Sequence, residues 1–236
     1  MIELSIESKI YSVKSENIIQ IDFEVDKIIQ RIINIMKTFP FHYHEFICKN
    51  VELLERFIDA YPLALITRYM SNGFITSHIP LFQGVDKMLF GHTDRRNPMV
   101  NDLVSFEAHI VFMGPSSYIP PEAYKNRQLP TWNYTAVHMD ASIDIIVESS
   151  MNLNILLKTS ERLATGKDSF RPDKEDPRVV KNLPGILGLK VVPKYIEGRF
   201  KLSQDKPFVD HESAMQWLLD NNPSEFDSLI KSLING

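Results

Sequence analysis

A polar stretch in the middle of the chain, residues 91–98, has the composition of a phosphate-binding turn. It reads GHTDRRNP and comes directly after an apolar segment. Its two arginines supply fixed positive charge, and Asn97 followed by Pro98 is typical of a helix start, where free N–H groups attract anions. A solvated turn, whose arginines pair with Asp94 or Asp102, would have the same composition. The sequence leaves both interpretations open.

A second positive region lies near the C-terminal end of the sequence. Residues 186–207 contain five Lys and Arg against two Asp and Glu, in a chain whose formal net charge is −4. The overall acidic balance argues against broad, charge-driven nucleic-acid binding, but the local excess indicates an anionic ligand or a complementary protein surface. Lysines that keep an exposed strand edge from pairing would give the same pattern, so the composition does not decide.

Three consecutive residues, Trp132, Asn133 and Tyr134, have side chains suited to a planar heterocycle. The two aromatic rings offer flat surfaces with polar tips, and the amide offers hydrogen-bond donors and an acceptor. Such a cluster more often begins a strand and packs into a core. The motif therefore supplies candidate residues without defining a site.

Several other chemistries are not predicted. The single cysteine, Cys48, excludes an intramolecular disulfide and a cysteine-rich metal site. His42 and His44 lack a third ligand at a recognisable spacing, so we expect no metal. The Rossmann, P-loop and G-x-S-x-G signatures do not occur in the sequence. Because it has neither a signal pattern nor a long apolar run, we expect a cytoplasmic protein that binds no membrane.

Strand patterns dominate the elements that must position these residues. Consecutive strands joined by tight turns do not fit a doubly wound parallel sheet; they predict a mainly β protein (α+β), an antiparallel barrel with peripheral helices. Strands are predicted over 63–70, 74–82, 87–92, 105–114, 131–148 and 186–203. Helices are predicted over 50–60 and 149–164, after Pro98, and in two short C-terminal segments around Met215 and Phe226, and 168–182 is predicted to be a charged surface segment.

The first forty residues differ in pattern from the rest, so we divide the chain into an N-terminal extension, 1–40, and a domain, 41–236. Alternating apolar residues predict short half-buried strands in the extension. Apolar residues between Val25 and Phe39 recur at helical spacing and predict an amphipathic helix. That helix would pack on its own domain or serve as a dimerisation or partner helix.

Six stretches of the chain are informative when they are taken together and in order. They are HIPLF (78–82), GHTDRRNP (91–98), VFMGPSSYIPPEAY (111–124), PTWNY (130–134), GILGLKV (185–191) and EGRFKLSQDKP (197–207). Together they resemble the PaiB family of FMN-binding negative transcriptional regulators, and the resemblance runs from about His42 to the C-terminus, some four-fifths of the chain. It implies that domain 41–236 is an FMN-binding split β-barrel, similar to that of the pyridoxamine phosphate oxidases, with C-terminal helices. It also implies a homodimer that binds FMN at the subunit interface.

The resemblance further implies which residues bind the cofactor. The polar turn would receive the flavin phosphate, a neighbouring strand would lie along the isoalloxazine ring, and a third set would complete the pocket from the same or the other subunit. In that order, the residues are His92, Arg95 and Asn97; His78, Ile79 and Pro80; and Trp132, Asn133, Tyr134, Lys201, Ser203 and Gln204. The family usually has a small residue where Asp94 stands, and an acidic group there weakens an anion site.

The resemblance is compatible with several biochemical roles. A PaiB-type regulator would use FMN to set the state of a dimer, with DNA as a partner implied by resemblance only. An FMN-dependent oxidoreductase acting on a small substrate is an alternative; the sequence does not identify its catalytic residues, and His92 and Tyr134 are the first candidates. A cofactor-free split barrel that acts as an interaction module is another. A haem protein with His138 or His92 as axial ligand is the last.

Overall fold

The computed structural model describes residues 42–222, apart from residues 127 and 165. The predicted extension 1–40 and the predicted helix around Phe226 lie outside these residues. The described part contains one antiparallel sheet with the strands β1 (Ile47–Cys48), β2 (Leu63–Met70), β3 (Gly73–Pro80), β4 (Phe82–Gln83), β5 (Leu89–Asp94), β6 (Phe106–Ile119), β7 (Thr131–Ile146) and β8 (Ile186–Lys201). Its α-helices are α1 (Val51–Ala60), α2 (Ser149–Leu163), α3 (Pro177–Asn182) and α4 (Phe208–Asn221). Within residues 42–222, no helix has the length and apolar character needed to cross a membrane.

The sheet curls into a barrel. Its strand order is β3-β2-β6-β7-β8-β5-β4, and β1 pairs with the C-terminal part of β8. β3, at one end of this order, lies against β5, near the other end. The approach is so close that a Cβ added to Gly91 would lie 2.6 Å from the Pro80 carbonyl oxygen, which only glycine permits. The predicted architecture, a mainly β split barrel with peripheral helices, is confirmed.

Helix α1 packs against the inner side of the sheet. Asn50 caps it, since its side chain accepts a hydrogen bond from the Leu53 N–H (3.1 Å), as the sequence predicts. Phe57 is fully buried, and its ring centroid lies 5.4 Å from that of Phe200 on β8. Burial of one large apolar side chain of this kind contributes about 2–3 kcal/mol to stability. The amphipathic spacing of α1 therefore fixes its position in the core.

Helix α2 covers the outside of β5 and β8. Its Asn152 accepts a hydrogen bond from the Gly188 N–H (2.9 Å). A Cβ at Gly188 would lie 2.6 Å from the same side-chain oxygen, so a larger residue would push the helix away. On the other side of the molecule, α4 adds Met215 and Leu218 to the core, and this confirms the helix predicted around Met215.

One segment differs from the sequence prediction, and a second, which lies on the surface as predicted, contains a helix that was not predicted. The helix predicted after Pro98 is a single 3-10 turn, Pro98–Val100, because the chain bends away at Leu103, whose φ is 56°. The charged segment 168–182 ends in helix α3, which begins where Asp176 accepts a hydrogen bond from the Arg178 N–H (2.8 Å).

The side chains of β2, β3, β6, β7 and β8 that point away from the barrel interior form what we call the outer face. Alternation along each strand defines it: on β2, Ala64 and Ile66 are buried, whereas Leu63 and Tyr69 are exposed. Phe74, opposite Tyr69, keeps 75% of its surface accessible. The large exposed apolar and aromatic side chains of this face are Leu63, Tyr69, Phe74, Met113, Tyr118 and Trp132.

Candidate functional site

Asn97 fastens the polar turn to the barrel. Its Oδ1 accepts a hydrogen bond from the Met99 N–H (3.0 Å) and so caps the 3-10 turn. Its Nδ2 donates to Ser77 Oγ on β3 and to Thr93 Oγ1 on β5, both at 3.0 Å. The amide thus joins the two strands whose approach closes the barrel. Because both ends of this side chain are engaged, Asn97 holds the turn in place.

The backbone N–H groups of the turn are also engaged. The Arg95 N–H donates to the Gly185 carbonyl (2.8 Å), which ties the turn to the start of β8. The next two N–H groups donate to Asp94, that of Arg96 to the carboxylate (2.8 Å) and that of Asn97 to the carbonyl (2.9 Å). The turn therefore presents side chains, rather than backbone donors, to an anion.

The two arginines of the turn differ. Arg96 forms a two-point ion pair with Asp94, Nε to Oδ1 at 3.0 Å and a terminal nitrogen to Oδ2 at 2.7 Å. These contacts, together with the hydrogen bond from the Arg96 N–H, lower the pKa of Asp94 to about 2. Arg95 donates its Nε to the Pro184 carbonyl (3.2 Å), and its two terminal nitrogens have no partner in the described part of the chain. Arg95 is therefore the cation that remains for a phosphate.

His92 faces away from Thr93 and from Asn97, which is bonded to Thr93. Alternation along β5 puts it on the face opposite Thr93, where it pairs across strands with Gly188 beneath α2. Its Nδ1 is buried and has no hydrogen-bond partner among residues 42–222 as described. Burial disfavours the imidazolium and lowers the pKa of His92 below its ordinary value. His92 is therefore neutral and lies on the α2 side of β5, whereas Asn97 lies on the β3 side.

The three predicted residues of β3 divide between the two faces of the sheet. Ile79 points inward and is 3% exposed, so its side chain belongs to the core. His78 and Pro80 lie on the outer face, where His78 is exposed and stands opposite Leu65 of β2. Of the three, His78 and Pro80 can contact a ligand on the outer face with their side chains.

Three residues of the last predicted set are built into the fold. Asn133 is fully buried and donates from Nδ2 to Ser203 Oγ (3.0 Å), which also lies 3.2 Å from the Tyr124 hydroxyl. Ser203 has a φ of 65°, so the chain turns sharply there. Gln204 accepts a hydrogen bond from the Leu202 N–H (2.6 Å) across this turn. These side chains therefore hold the segment that follows β8.

The other three residues of that set lie on the outer face. Trp132 is 56% exposed, and its ring centroid lies 6.3 Å from that of Tyr118 on β6. Tyr134 stands opposite Lys201, whose Nζ donates to Thr131 Oγ1 (2.6 Å). Aromatic rings beside a cation suit a planar ligand with electronegative edges.

The candidates that are not built into the fold come from two parts of the chain: β3 with the turn after β5, and β7 with the end of β8. We call His78, Pro80 and Arg95 the arginine set, and Trp132, Tyr134 and Lys201 the aromatic set. β3 and β7 are separated by β2 and β6 in the sheet, which at the usual strand spacing puts them roughly 14 Å apart. Arg95 lies near the start of β8 and Lys201 ends it. Among residues 42–222 as described, no hydrogen bond or ring contact joins a residue of one set to a residue of the other.

The sequence analysis missed a third polar group on the outer face. We call it the polar island; it consists of His109 on β6, His138 and Asp140 on β7, and Tyr195, Glu197 and Arg199 on β8. His109 Nδ1 lies 2.8 Å from Asp140 Oδ1, and its Nε2 lies 3.1 Å from His138 Nδ1. The sequence did contain a signal for this group. Polar residues occur at every second position, at 138 and 140 and again at 195, 197 and 199, and positions with this spacing share one face of a strand.

The β8 part of the polar island is held by Glu197. Its carboxylate accepts hydrogen bonds from the Tyr195 hydroxyl and from Arg199 Nε (2.9 Å). Burial alone would raise the pKa of Glu197, but these two donors bring it below its ordinary value. The hydrogen bond to Glu197 also raises the pKa of Tyr195 to about 12. At neutral pH, Glu197 is therefore an anion and Tyr195 a neutral donor.

Comparison with known families identifies the chain. Residues 41–194 match the family model described as "Putative FMN-binding domain". The chain belongs to this family. The predicted family and its cofactor, FMN, are confirmed at this level, and the match begins where the extension 1–40 ends.

Individual relatives agree with the family assignment. The chain is 28% identical to the Bacillus subtilis protein "Protease synthase and sporulation protein PAI 2" over 183 residues, 74% of this chain and 87% of the relative. It is 25% identical to an uncharacterised protein of Aspergillus fumigatus over 226 residues, 71% of this chain and 86% of the relative. These matches span most of each protein's length.

Two solved structures share the fold. The FAD and heme binding protein from Mycobacterium smegmatis has a TM-score of 0.54 at 14% identity and matches 72% of this chain and 80% of its own. The flavocytochrome Anf3 from Azotobacter vinelandii has a TM-score of 0.54 at 15% identity and matches 75% of this chain and 78% of its own. At this level of identity, the likeness concerns the fold alone.

The side chains of the two sets fit the chemistry of FMN. The arginine set contains a guanidinium whose terminal nitrogens are not engaged in the described part of the chain, as a phosphate requires. The aromatic set contains two ring surfaces and an ammonium group, as the isoalloxazine and its carbonyl edge require. Asn97, Asn133 and Ser203 lie behind these sets and fix the backbone that carries them.

Proposed function

We propose that the protein is a homodimer that binds FMN between its subunits, with each site formed by the arginine set of one subunit and the aromatic set of the other. The observation that carries this proposal is the separation of the two sets in one subunit, each with part of the chemistry that FMN needs. A two-fold axis through the outer faces would generate two identical composite sites. When bound, FMN supplies one- and two-electron transfer chemistry.

Each set has a distinct task in the proposed site. Arg95 would neutralise the phosphate, and His78 and Pro80 would border the ring system. From the other subunit, Trp132 and Tyr134 would contact the flat surface of the flavin, and Lys201 would donate to its oxygen-bearing edge. The neutral His92 lies beneath α2 and would support the turn from behind.

The apolar side chains of the outer face support the dimer. Tyr69 and Phe74 are 71% and 75% exposed, and their rings pack against each other with centroids 5.2 Å apart. Met113, on the other side of β2, is also exposed. Large apolar patches on a protein surface mark interaction sites, and isologous pairing would cover the same patch on both subunits at once.

We further propose a regulatory role of the PaiB type. The similarity to the Bacillus subtilis protein "Protease synthase and sporulation protein PAI 2", which extends over 87% of that relative, supports it. A mobility-shift assay on genomic promoter fragments at low salt, with and without FMN, tests direct DNA contact. A shift that weakens as salt is raised is expected, and the absence of any shift at low salt would count against a role on DNA.

Subunit complementation tests the composite site. One subunit carries Arg95→Ala and the other carries Lys201→Met, and heterodimers are isolated with two different affinity tags. In such a heterodimer one site loses both groups and the other keeps both. It should bind about half as much FMN per dimer as the parent protein, with the parent's affinity, whereas each variant homodimer binds FMN weakly at both sites. Lys190→Met, a change on the same strand, is the matched control.

Three results would contradict the proposal. Heterodimers that bind no better than either variant homodimer would put the whole site within one subunit. Homodimers of both variants that bind like the parent would remove Arg95 and Lys201 from the site. A parent protein that stays monomeric would overturn the proposal, and one that takes up no FMN at high micromolar concentration would leave a cofactor-free interaction module.

A further inference from the structure

One side of the polar island adjoins apolar side chains of the outer face, whereas its other side adjoins Thr67 and Glu107. Its neighbours across β6 and β2 include Val111 and Leu65, which stand in the same cross-strand row as His138, and Met113 lies one row further along. Within this surface the island places two carboxylates, a guanidinium and two imidazoles on three adjacent strands. Such a group costs free energy if it is covered by an apolar surface, because its charges would lose water without gaining a partner.

The two sides of the polar island differ in accessibility. On β8, the side chains of Glu197 and Arg199 are 9% and 12% exposed, so their ion pair is already buried within the subunit. On β6 and β7, the side chains of His109 and Asp140 are 44% and 41% exposed. The part of the island that an approaching surface would meet is therefore the hydrogen-bonded pair of His109 and Asp140.

An apolar sheet face by itself allows several alignments with a second copy. A shift of two residues along the strands returns the same kind of side chain to the interface, so Leu, Tyr, Phe and Met would remain covered. A polar group removes this freedom, because only alignments that keep it hydrated or matched by a polar partner are acceptable. Single polar groups in apolar interfaces are known to fix alignment at some cost in stability.

We infer that the polar island fixes the alignment in which two outer faces pair, and thereby keeps the arginine set of each subunit opposite the aromatic set of its partner. The inference rests on the proposed homodimer and adds a role for residues that do not contact FMN themselves. His109 and Asp140 act as positioning residues, and the occupant of the face is a second copy of this chain.

Distance measurement between spin labels tests the inference. In a Cys48→Ser background, Lys158→Cys on the exposed side of α2 provides one label per subunit. The parent dimer should give one narrow distance. The double variant His109→Leu/Asp140→Leu should remain dimeric by mass but give a broad or split distance distribution, and its FMN content per dimer should fall several-fold.

Asp140→Asn keeps the size of the side chain and should give a smaller change of the same kind, because it removes only the charge. Thr76→Val, a polar-to-apolar change on the same face of β3, should leave the narrow distance and FMN content unchanged.

The outcomes separate this inference from the proposed function. A parent that is monomeric by mass overturns both. A double variant that is dimeric and keeps the parent's narrow distance overturns the alignment role alone, as does a Thr76→Val variant that broadens the distance as much as the double variant does. Thermal unfolding of each variant shows whether it is folded, and if the double variant is not, the dimeric Asp140→Asn variant decides in the same way.

Discussion

The polar turn at residues 91–98 and the strand end at residues 131–134 each contain an asparagine, and the two asparagines are held differently. Asn97 is half-buried and bonds to Thr93, four residues away, and to Ser77 on the neighbouring strand. Asn133 is fully buried and bonds to Ser203, 70 residues away. Water can replace the partners of Asn97 if they are lost, but it cannot easily reach those of Asn133.

The charged residues around these two asparagines also differ, in how many of their hydrogen-bond donors are used within the subunit. At the turn, Arg96 is already paired with Asp94, and only Arg95 keeps terminal nitrogens without a partner in the described part of the chain. At the strand end, Lys201 donates to Thr131 and remains half-buried beside Tyr134. Polar groups that complete their hydrogen bonds inside the subunit build the fold, whereas those left at the outer face are the ones to test for ligand binding.

The largest effect on stability is expected from Asn133→Ala. The change removes a buried hydrogen bond and leaves the hydroxyl of Ser203 with one partner fewer, so the free energy of unfolding should fall by about 2–3 kcal/mol. Asn97→Ala, where water can enter, should cost about 1 kcal/mol. Urea unfolding measures both, with the exposed Asn154→Ala as the control. Equal losses for Asn97 and Asn133 would remove the distinction between the two regions.

A smaller effect, on binding rather than stability, is expected from the two arginines of the turn. Arg95→Ala should weaken FMN binding about tenfold or more, since an unscreened charge-assisted contact with phosphate is worth about 1.5–3 kcal/mol. Arg96→Ala should change FMN affinity much less, because that guanidinium is paired with Asp94. Fluorescence quenching of the flavin measures both affinities. If Arg96→Ala weakened binding as much as Arg95→Ala does, the ion pair would have to open to receive FMN.

Sequence patterns predicted most of the strands because each alternates between an inner and an outer face, and predicted α1 from its cap at Asn50. They did not predict the strand order, in which β6, β7 and β8 lie between β2 and β5. That order depends on contacts between segments far apart in the chain. The same is true of the 3-10 turn after Pro98, whose length is set by the bend at Leu103 rather than by local propensity.

The candidate site was harder to predict, because the family motif does not tell which of its side chains point outward. On β7, a reading by hydrophobicity alone would turn Trp132 and Tyr134 inward and Asn133 outward, whereas the structure has the opposite arrangement. The reason is Ser203, which satisfies the buried amide from a distant part of the sequence. Asp102, one of the two carboxylates considered as partners of the turn arginines, is instead bound by Arg68 of β2 at 2.6 Å.

The smallest effect on stability is expected from Asp94→Asn, a change that also compares the paired and the released Arg96 within the turn. The pKa of Asp94 is about 2, so the carboxylate is ionised at neutral pH and holds Arg96. Any stability that the ion pair contributes is present above the ordinary pKa of aspartate and is lost only as the pH falls through about 2. Because both side chains are exposed, we expect Asp94→Asn to change the free energy of unfolding at pH 7 very little.

Removing the charge of Asp94 should instead change FMN binding. It releases Arg96 and takes away a negative group near the proposed phosphate position, so Asp94→Asn should raise FMN affinity a few-fold at pH 7. The double variant Asp94→Asn/Arg96→Ala should lose the part of this gain that comes from the released Arg96, which a double-mutant cycle measures directly. An unchanged affinity for Asp94→Asn would indicate that the phosphate lies away from the turn, in which case Arg95 would not be its ligand either.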